Sequence, residues 1–377
     1  MKKVDDHLKQ YEEELYYSYA KANTKSKKKR LVDDLFAFSR LCHDEFLIFK
    51  TFEWENDKSF RDISDYDNNI FKENVLKNIN IYNKLSELVV NIYKDTEFPL
   101  YKSYADSYRD FHRLKKGEMV EIISSFLNIL DPKLVKNFRD KLSYGDLFKV
   151  QDDDSDSYGY TCEFKSLKKN LMFINSNSNG DETIRVACTI MHEFGHDYEM
   201  DLYHNSGIVN NMWLYPFHEV SSCFFEYAFI NYLIDNKIYS NDIKAYNRMF
   251  FIELFYFMFG VNLFSDVVQV SKDEYIIDFD NVEKKELMIQ EKMNYYGMTD
   301  YEFEDFDKYF TYGTGYLFAP YLYENFKSDS KIFMKEFQDA ILTYPYTNSI
   351  NTFEGVGVTE NELLKGNVLR RVLKDSR

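Results

Sequence analysis

The feature that most constrains this chain is a five-residue motif, His192-Glu193-Phe194-Gly195-His196. Histidines four residues apart lie on the same face of a helix, where both imidazoles can bind one zinc ion. A glutamate beside the first histidine can accept a proton from a water molecule that the metal activates. The motif therefore predicts a helix that carries two metal ligands, His192 and His196, and a general base, Glu193.

The residues around the motif predict a buried helix over residues 182–203, with Asp181 or Asn179 as its N-cap. At a period of 3.6 residues, an apolar side lies opposite a polar stripe that contains both histidines. Because unpaired buried polar groups are costly, such a stripe favours a helix that lines a water-filled cleft. The alternative is a surface helix with a chance histidine pair, which the apolar residues 186–191 disfavour.

A catalytic zinc ion usually has three protein ligands, so a third ligand is expected after the motif. Two established spacings lead to Leu202 and Tyr215, neither of which suits zinc. Glu219 is a better candidate, in a second, strongly apolar helix that is predicted to begin near Pro216. A buried carboxylate needs a cation or hydrogen bonds to stay ionised, and zinc would satisfy Glu219.

Three further residues compete for roles at this site. Glu226 follows Glu219 by one heptad and shares its helix face, which predicts either an acid that orients a ligand histidine or a structural buried acid. His218 and His204 are rival metal ligands, and both also suit purely structural roles.

These residues resemble the thimet oligopeptidase and oligoendopeptidase F family of zinc peptidases. The resemblance rests on the HEFGH motif and on Glu219 within Glu-Val-Ser-Ser-Cys-Phe-Phe-Glu. The apolar run 170–175 matches a strand that borders the substrate cleft in that family, and Gly159-Tyr160 is a weaker match. Residues 309–316 resemble a tyrosine- and glycine-rich loop that faces the metal. The resemblance covers residues 155–325.

The chain departs from that family in two respects. It is shorter, mostly in its N-terminal half, and it has no histidine after His218, whereas many members carry one just before the tyrosine loop. The role of that histidine is therefore either absent here or taken by another group, for which a tyrosine is the expected candidate.

The residues and the resemblance imply the same hydrolytic chemistry. Zinc held by His192, His196 and Glu219 would activate a water molecule and polarise the scissile carbonyl. Glu193 would accept the water's proton and deliver it to the departing amine.

Two tyrosines are the predicted donors to the oxyanion, Tyr312 and Tyr316. Packing is the alternative role for both, because the chain contains 32 tyrosines. Gly313 and Gly315 are expected to keep the tyrosine loop pliable and to let a peptide backbone approach closely.

The sequence predicts a mainly α-helical fold, since five prolines and 13 glycines supply little material for tight β-turns. Amphipathic stretches of helical spacing cover 6–22, 31–50, 70–95 and 117–147. The resemblance to the oligopeptidase family further implies that the fold has two lobes and a small β-sheet that borders the active-site cleft.

The acidic segment 151–157 is the predicted domain boundary. It separates an N-terminal helical lobe, residues 1–150, from a zinc metallopeptidase lobe, residues 158–377.

Composition limits the partners of the chain. A net charge of −16 opposes binding to nucleic acid. The N-terminus lacks an apolar signal segment, and Met249 to Phe264 suits a core helix better than a membrane span because it contains Glu253. The four cysteines show no paired spacing, which is typical of reduced thiols in a cytoplasmic protein.

These expectations together predict a cytoplasmic zinc metalloendopeptidase that holds one Zn²⁺ per chain and cleaves short peptides. Three alternatives stay open. One is a processing peptidase dedicated to a single partner peptide, and another is a zinc hydrolase that cleaves a non-peptide amide. The third is a catalytically silent, zinc-containing peptide-binding protein, which the presence of Glu193 disfavours.

Overall fold

The computed structural model describes residues 2–38, 78–107, 111–150, 159–207, 217–277 and 306–377, with short gaps inside these ranges and single residues between 287 and 294. The helices are α1 (Lys2–Ala20), α2 (26–35), α3 (Ile79–Thr96), α4 (Leu100–Ser107), α5 (Glu118–Leu130), α6 (Pro132–Tyr144), α7 (Ile184–Ser206), α8 (Glu219–Asp235), α9 (Ser240–Phe264), α10 (Phe306–Ser328), α11 (Ser330–Thr347), α12 (Glu360–Lys365) and α13 (Asn367–Asp375). The strands are β1 (Leu147–Val150), β2 (Gly159–Phe164), β3 (Lys169–Asn175), β4 (Val268–Ser271) and β5 (Glu274–Ile277), and a 3₁₀ helix covers Ile350–Val356. The predicted mainly α fold with a small sheet is confirmed.

The chain divides into two compact units, each built from two stretches of sequence. The first unit comprises Met1–Asn69 and Arg113–Asn210, and the second comprises Ile70–His112 and Asn211–Arg377. The predicted boundary at 151–157 lies outside the described residues, so the lobes 1–150 and 158–377 stay a prediction.

Three of the predicted helical stretches can be compared with the structure only in part or differ from it in detail. The stretch 117–147 forms two helices, α5 and α6, because Asp131 is extended (φ −160°, ψ 125°) and Pro132 begins the next helix. In the stretches 31–50 and 70–95, residues 39–50 and 70–77 lie outside the described part of the chain.

A three-stranded sheet organises the first unit, with β3 between β1 and β2. Strand β1 is parallel to β3 and β2 is antiparallel to it, which confirms the strand predicted at 170–175. Side chains of a strand alternate between its two faces. Leu171 and Phe173 pack in one cluster with Leu15 of α1 and Leu35 of α2, whereas Asn170 contacts α7 on the other face.

Helix α7 carries the HEFGH motif and begins two residues later than predicted. Its N-cap is Thr183, whose hydroxyl accepts a hydrogen bond from the Val186 N–H at 3.3 Å, so the prediction of Asp181 or Asn179 was wrong. An extended threonine directly before the first helical residue places its oxygen against the N-terminal N–H groups. Gly207, at φ 68°, ends the helix in the left-handed region.

Buried polar contacts attach α7 to its neighbours in the first unit. The Lys141 ammonium of α6 lies 2.6 Å from the fully buried Asp197 carboxylate, and burial raises the pKa of Asp197 to about 7 although the lysine charge lowers it. Asp201 accepts hydrogen bonds from Asn170 at 2.8 Å and from Asn137 at 3.1 Å. Helix α7 is therefore attached to both α6 and β3.

The second unit is a helical assembly around α8, which packs against α9 and α10. The apolar stretch Met249–Phe264 lies in α9, most of whose side chains there are buried, which confirms the predicted core helix. None of the described helices has both the length and the apolar character needed to cross a bilayer.

The segment predicted to be a tyrosine loop, 309–316, is helical and lies within α10. That prediction was wrong because the segment packs on both sides into the second unit. Tyr82 of α3 hydrogen-bonds Thr314 at 2.9 Å, and Gly313 lies against Met258 of α9.

The cysteines in the described part of the chain are free thiols, in agreement with the unpaired spacing of the sequence. Cys188 and Cys223 are buried and Cys162 is partly buried, while Cys42 lies outside the described residues.

We expect Lys141→Met to destabilise the protein by roughly 3 kcal/mol or more, because it removes the cation beside the buried Asp197 while keeping most of the side-chain volume. Urea unfolding measures the loss. Lys136→Met, on the exposed face of α6, is the matched control and should change the free energy of unfolding by less than about 0.5 kcal/mol. Equal effects of the two substitutions would contradict a structural role for the buried ion pair.

Candidate metal centre

The two motif histidines lie one turn apart on α7. Their ring centroids are 5.1 Å apart, and the ring planes meet at 79°. His196 is buried, and His192 is partly exposed to solvent. Two imidazoles at this spacing can each provide a nitrogen to one ion.

The Glu193 carboxylate is buried against strand β2. Thr161 donates its hydroxyl proton towards Glu193 Oε2 at 2.7 Å, and the same hydroxyl lies 3.1 Å from the Glu193 carbonyl oxygen. A methyl group on Gly159 would lie only 2.5 Å from Glu193 Oε1. The carboxylate therefore occupies space that the absence of a side chain at Gly159 provides.

Glu219 lies at the start of α8 in the second unit, with 2% of its surface exposed. Ser222 donates a hydrogen bond to Glu219 Oε2 at 2.6 Å, and His218 Nε2 lies 3.2 Å from Glu219 Oε1. The predicted start of this helix near Pro216 lies outside the described residues. His218, one of the two rival ligands, therefore contacts the Glu219 carboxylate. His204, the other rival ligand, lies in the last turn of α7.

Helix α10 approaches the backbone of α8 at Gly315. A methyl group there would lie 2.5 Å from the Glu219 carbonyl oxygen. Because backbone atoms cannot turn aside as a side chain can, this contact requires glycine. Gly315 therefore serves close helix packing rather than the loop pliability that the sequence suggested.

The Glu226 carboxylate accepts a hydrogen bond from the Tyr246 hydroxyl of α9 at 2.8 Å. Between the two glutamates, Cys223 lies within 4.8 Å of Glu219, measured between the atoms that could bind a metal. Burial raises the pKa of the Cys223 thiol well above its usual value, and the charges of Glu219 and Glu226 raise it further. The contact with Tyr246 is structural, and a role of Glu226 in orienting a ligand histidine stays a prediction.

The two candidate oxyanion donors lie one turn apart on α10 and stack on one ring. Phe257 of α9 is stacked on Tyr312, with centroids 5.0 Å apart, and on Tyr316, with centroids 5.9 Å apart. Burial raises the pKa of Tyr316 well above its usual value, and the charge of Glu226 raises it further. Tyr316 therefore keeps its proton at neutral pH, as a hydrogen-bond donor must.

The described residues fit a metal ion by their chemistry. Side chains able to serve as ligands include His192 on α7 and Glu219 and Cys223 on α8. Nitrogen and carboxylate ligands suit zinc, and a thiolate would suit it as well.

Sequence reasoning missed two residues. Cys223 follows Glu219 by four residues and shares its helix face, so its helical spacing could have identified it as a ligand candidate. Thr161 shows no recognisable motif of its own, because only the packing of β2 on α7 brings it to Glu193.

No protein-family model matches this sequence, and no curated protein does. Solved structures do resemble it. A candidate peptidase from Chlamydophila abortus aligns with a TM-score of 0.56 and 13% identity, over 81% of this chain and 57% of that one. A candidate oligoendopeptidase F from Bacillus anthracis str. Ames aligns with a TM-score of 0.55 and 12% identity, over 96% and 68%. PZ peptidase A with inhibitor 2 aligns with a TM-score of 0.52 and 12% identity, over 99% and 75%.

These alignments confirm the resemblance to oligoendopeptidase F at the level of the fold. The chain is also shorter than those proteins and spans 57% of the length of the first of them.

We expect Gly315→Ala to lower the melting temperature, because the added methyl group would force α10 away from the Glu219 backbone. Overpacking of this kind typically costs about 1–3 kcal/mol. Zinc affinity should fall together with stability, since the displaced residue is Glu219. Gly355→Ala is the control, because a methyl group at Gly355 meets no atom within 4 Å. Unchanged melting and zinc affinity in Gly315→Ala would contradict the close approach.

Proposed function

We propose that the chain is a zinc-dependent endopeptidase that hydrolyses internal bonds of oligopeptides. The observation that carries the proposal is the buried, hydrogen-bonded Glu193 between two histidines of α7. The shared fold supports it, because the three structures described above bear peptidase names. A metal site kept only for structure would not need a carboxylate at position 193.

His192, His196 and Glu219 would hold one zinc ion per chain. This set contains two neutral imidazoles and one carboxylate and leaves a position for water, as catalytic zinc sites do. Zinc bound there would lower the pKa of a water molecule and polarise the scissile carbonyl. Ser222 would hold Glu219 Oε2, and His218 would face Oε1.

Glu193 would move the proton during hydrolysis. It would accept a proton from the water as the new C–O bond forms, and donate that proton to the amine nitrogen as the C–N bond breaks. Tyr312 and Tyr316 would donate hydrogen bonds to the carbonyl oxygen as it gains negative charge. The high pKa of Tyr316 suits this role, since a donor must stay protonated.

The proposed substrates are short peptides. The acidic charge of the chain disfavours nucleic acid, whose phosphates it would repel. A library of quenched peptides separates the general peptidase from the dedicated processing enzyme, because the first cleaves many sequences and the second cleaves one.

Glu193→Gln tests the proposal directly. We expect it to lower kcat by about 10²–10⁴-fold, because glutamine cannot accept the proton, while bound zinc stays near one per chain. Peptide cleavage and metal analysis on the same samples provide both values. Glu121→Gln, the same change at an exposed helix position, should retain wild-type turnover. A chelator should abolish wild-type cleavage and added zinc should restore it; cleavage that survives in Glu193→Gln would refute the assignment of the base.

Tyr312→Phe and Tyr316→Phe should lower kcat by up to about 10²–10³-fold with little change in KM, because an oxyanion donor acts mainly in the transition state. Tyr323→Phe is the control: Tyr323 lies on the same helix, and its hydroxyl faces Asp235. Steady-state kinetics with a quenched peptide measures all three. If both variants keep full turnover, the two tyrosines only pack against Phe257.

A further inference from the structure

Strand β2 contacts the Glu193 carboxylate at two points. Thr161 Oγ1 lies 2.7 Å from Glu193 Oε2, and a methyl group at Gly159 would meet Glu193 Oε1. Both residues are on the face of β2 that packs on α7, whereas Tyr160 and Cys162 pack against the cluster formed with α1 and α2. The alternation of the strand therefore places Thr161 and Gly159 on the same carboxylate.

The Thr161 hydroxyl has one proton and two oxygens of Glu193 within reach. The carboxylate oxygen is nearer, at 2.7 Å against 3.1 Å for the carbonyl oxygen, and a charged acceptor makes the stronger hydrogen bond. The proton therefore goes to Oε2. Thr161 is itself 4% exposed, so water does not compete easily for this hydroxyl.

Gly159 acts on the other oxygen through the absence of a side chain. A methyl group there would lie 2.5 Å from Oε1 and 2.7 Å from Cγ of Glu193. Both atoms belong to a flexible side chain, so an alanine would push the carboxylate aside more readily than it would disturb the fold.

We propose that β2 positions the general base, with Thr161 fixing Oε2 of Glu193 and Gly159 leaving the space in which Oε1 transfers the proton. The proposal rests on the proposed function and adds two positioning residues to it. Neither residue touches the substrate or the metal in this scheme, and each acts through the orientation of Glu193.

Three substitutions test the positioning in the zinc-loaded protein. Thr161→Val keeps the shape and removes the donor, and it should lower kcat about tenfold to a hundredfold with KM changed less than about threefold. Thr161→Ser restores the hydroxyl and should return kcat to within about threefold of wild type. Gly159→Ala should lower kcat by a similar factor to Thr161→Val while melting within about 2 °C of wild type. Thr96→Val, which removes a buried hydroxyl bonded to its own helix backbone, should keep wild-type kcat.

A second readout needs neither metal nor turnover. In the metal-free chain of 377 residues, Thr161→Val should raise the unfolding equilibrium constant in urea about tenfold. In the Glu193→Ala background the same substitution should raise it less than about threefold, because the hydrogen bond to the carboxylate is then already lost and only the longer contact with the carbonyl oxygen of residue 193 remains.

The outcomes separate the two proposals. A wild type that cleaves peptides, with Thr161→Val and Gly159→Ala both at full kcat, overturns the positioning and leaves the peptidase. Equal effects of Thr161→Val with and without Glu193 overturn the hydrogen bond itself. A zinc-loaded wild type that cleaves no peptide overturns the proposed function, and the positioning of a base falls with it. Loss of kcat in Thr161→Val, rescue by serine and coupling to Glu193 together support the proposal.

Discussion

Ionisable side chains on a buried helix are costly to desolvate, and the architecture of the first unit follows from that cost. Helix α7 buries Glu193, Asp197 and Glu199 within two turns. Each carboxylate has a different partner: the Thr161 hydroxyl, the Lys141 ammonium and the Tyr203 hydroxyl respectively. These partners come from β2, from α6 and from α7 itself, so the helix that carries the motif is attached through its charges as well as through apolar packing.

The second unit satisfies its buried carboxylates in the same way, but from within a largely aromatic core. Glu219 accepts a hydrogen bond from Ser222 and Glu226 accepts one from Tyr246. Phe250 and Phe257 of α9 pack against the Tyr316 ring. Tyr316 is therefore held by packing between helices, whereas the sequence had suggested a loop. Carboxylates kept in an apolar core are costly to desolvate, which agrees with the role proposed above for Glu219 as a metal ligand.

Periodicity predicted much of this fold, because helical spacing of apolar residues is a local property of the sequence. The helices that carry the motif and Glu219 and the core helix at Met249–Phe264 could be identified from such local patterns, whereas the strand at 170–175 was implied by the resemblance to the oligoendopeptidase F family. Gly313 and Gly315 led to the wrong prediction of a loop, because glycine favours loops when only the local sequence is considered. In the structure, these glycines allow α10 to approach α8 and α9 closely. Thr161 could not be found at all, because its role depends on a tertiary contact between residues 32 positions apart. The N-cap was missed for a simpler reason: several cap residues precede α7, and only the backbone conformation selects Thr183.

The claim on which the proposed mechanism depends is the ligand set, and X-ray absorption at the zinc edge tests it most directly. The proposed ligand set, His192, His196 and Glu219, predicts one zinc ion per chain. That ion should have only nitrogen and oxygen neighbours, at about 2.0–2.2 Å. The same spectrum should be obtained from Cys223→Ala. A sulfur neighbour at about 2.3 Å that disappears in Cys223→Ala would show that the thiolate of Cys223 binds the metal, and a chain that retains no zinc would contradict the metal centre altogether.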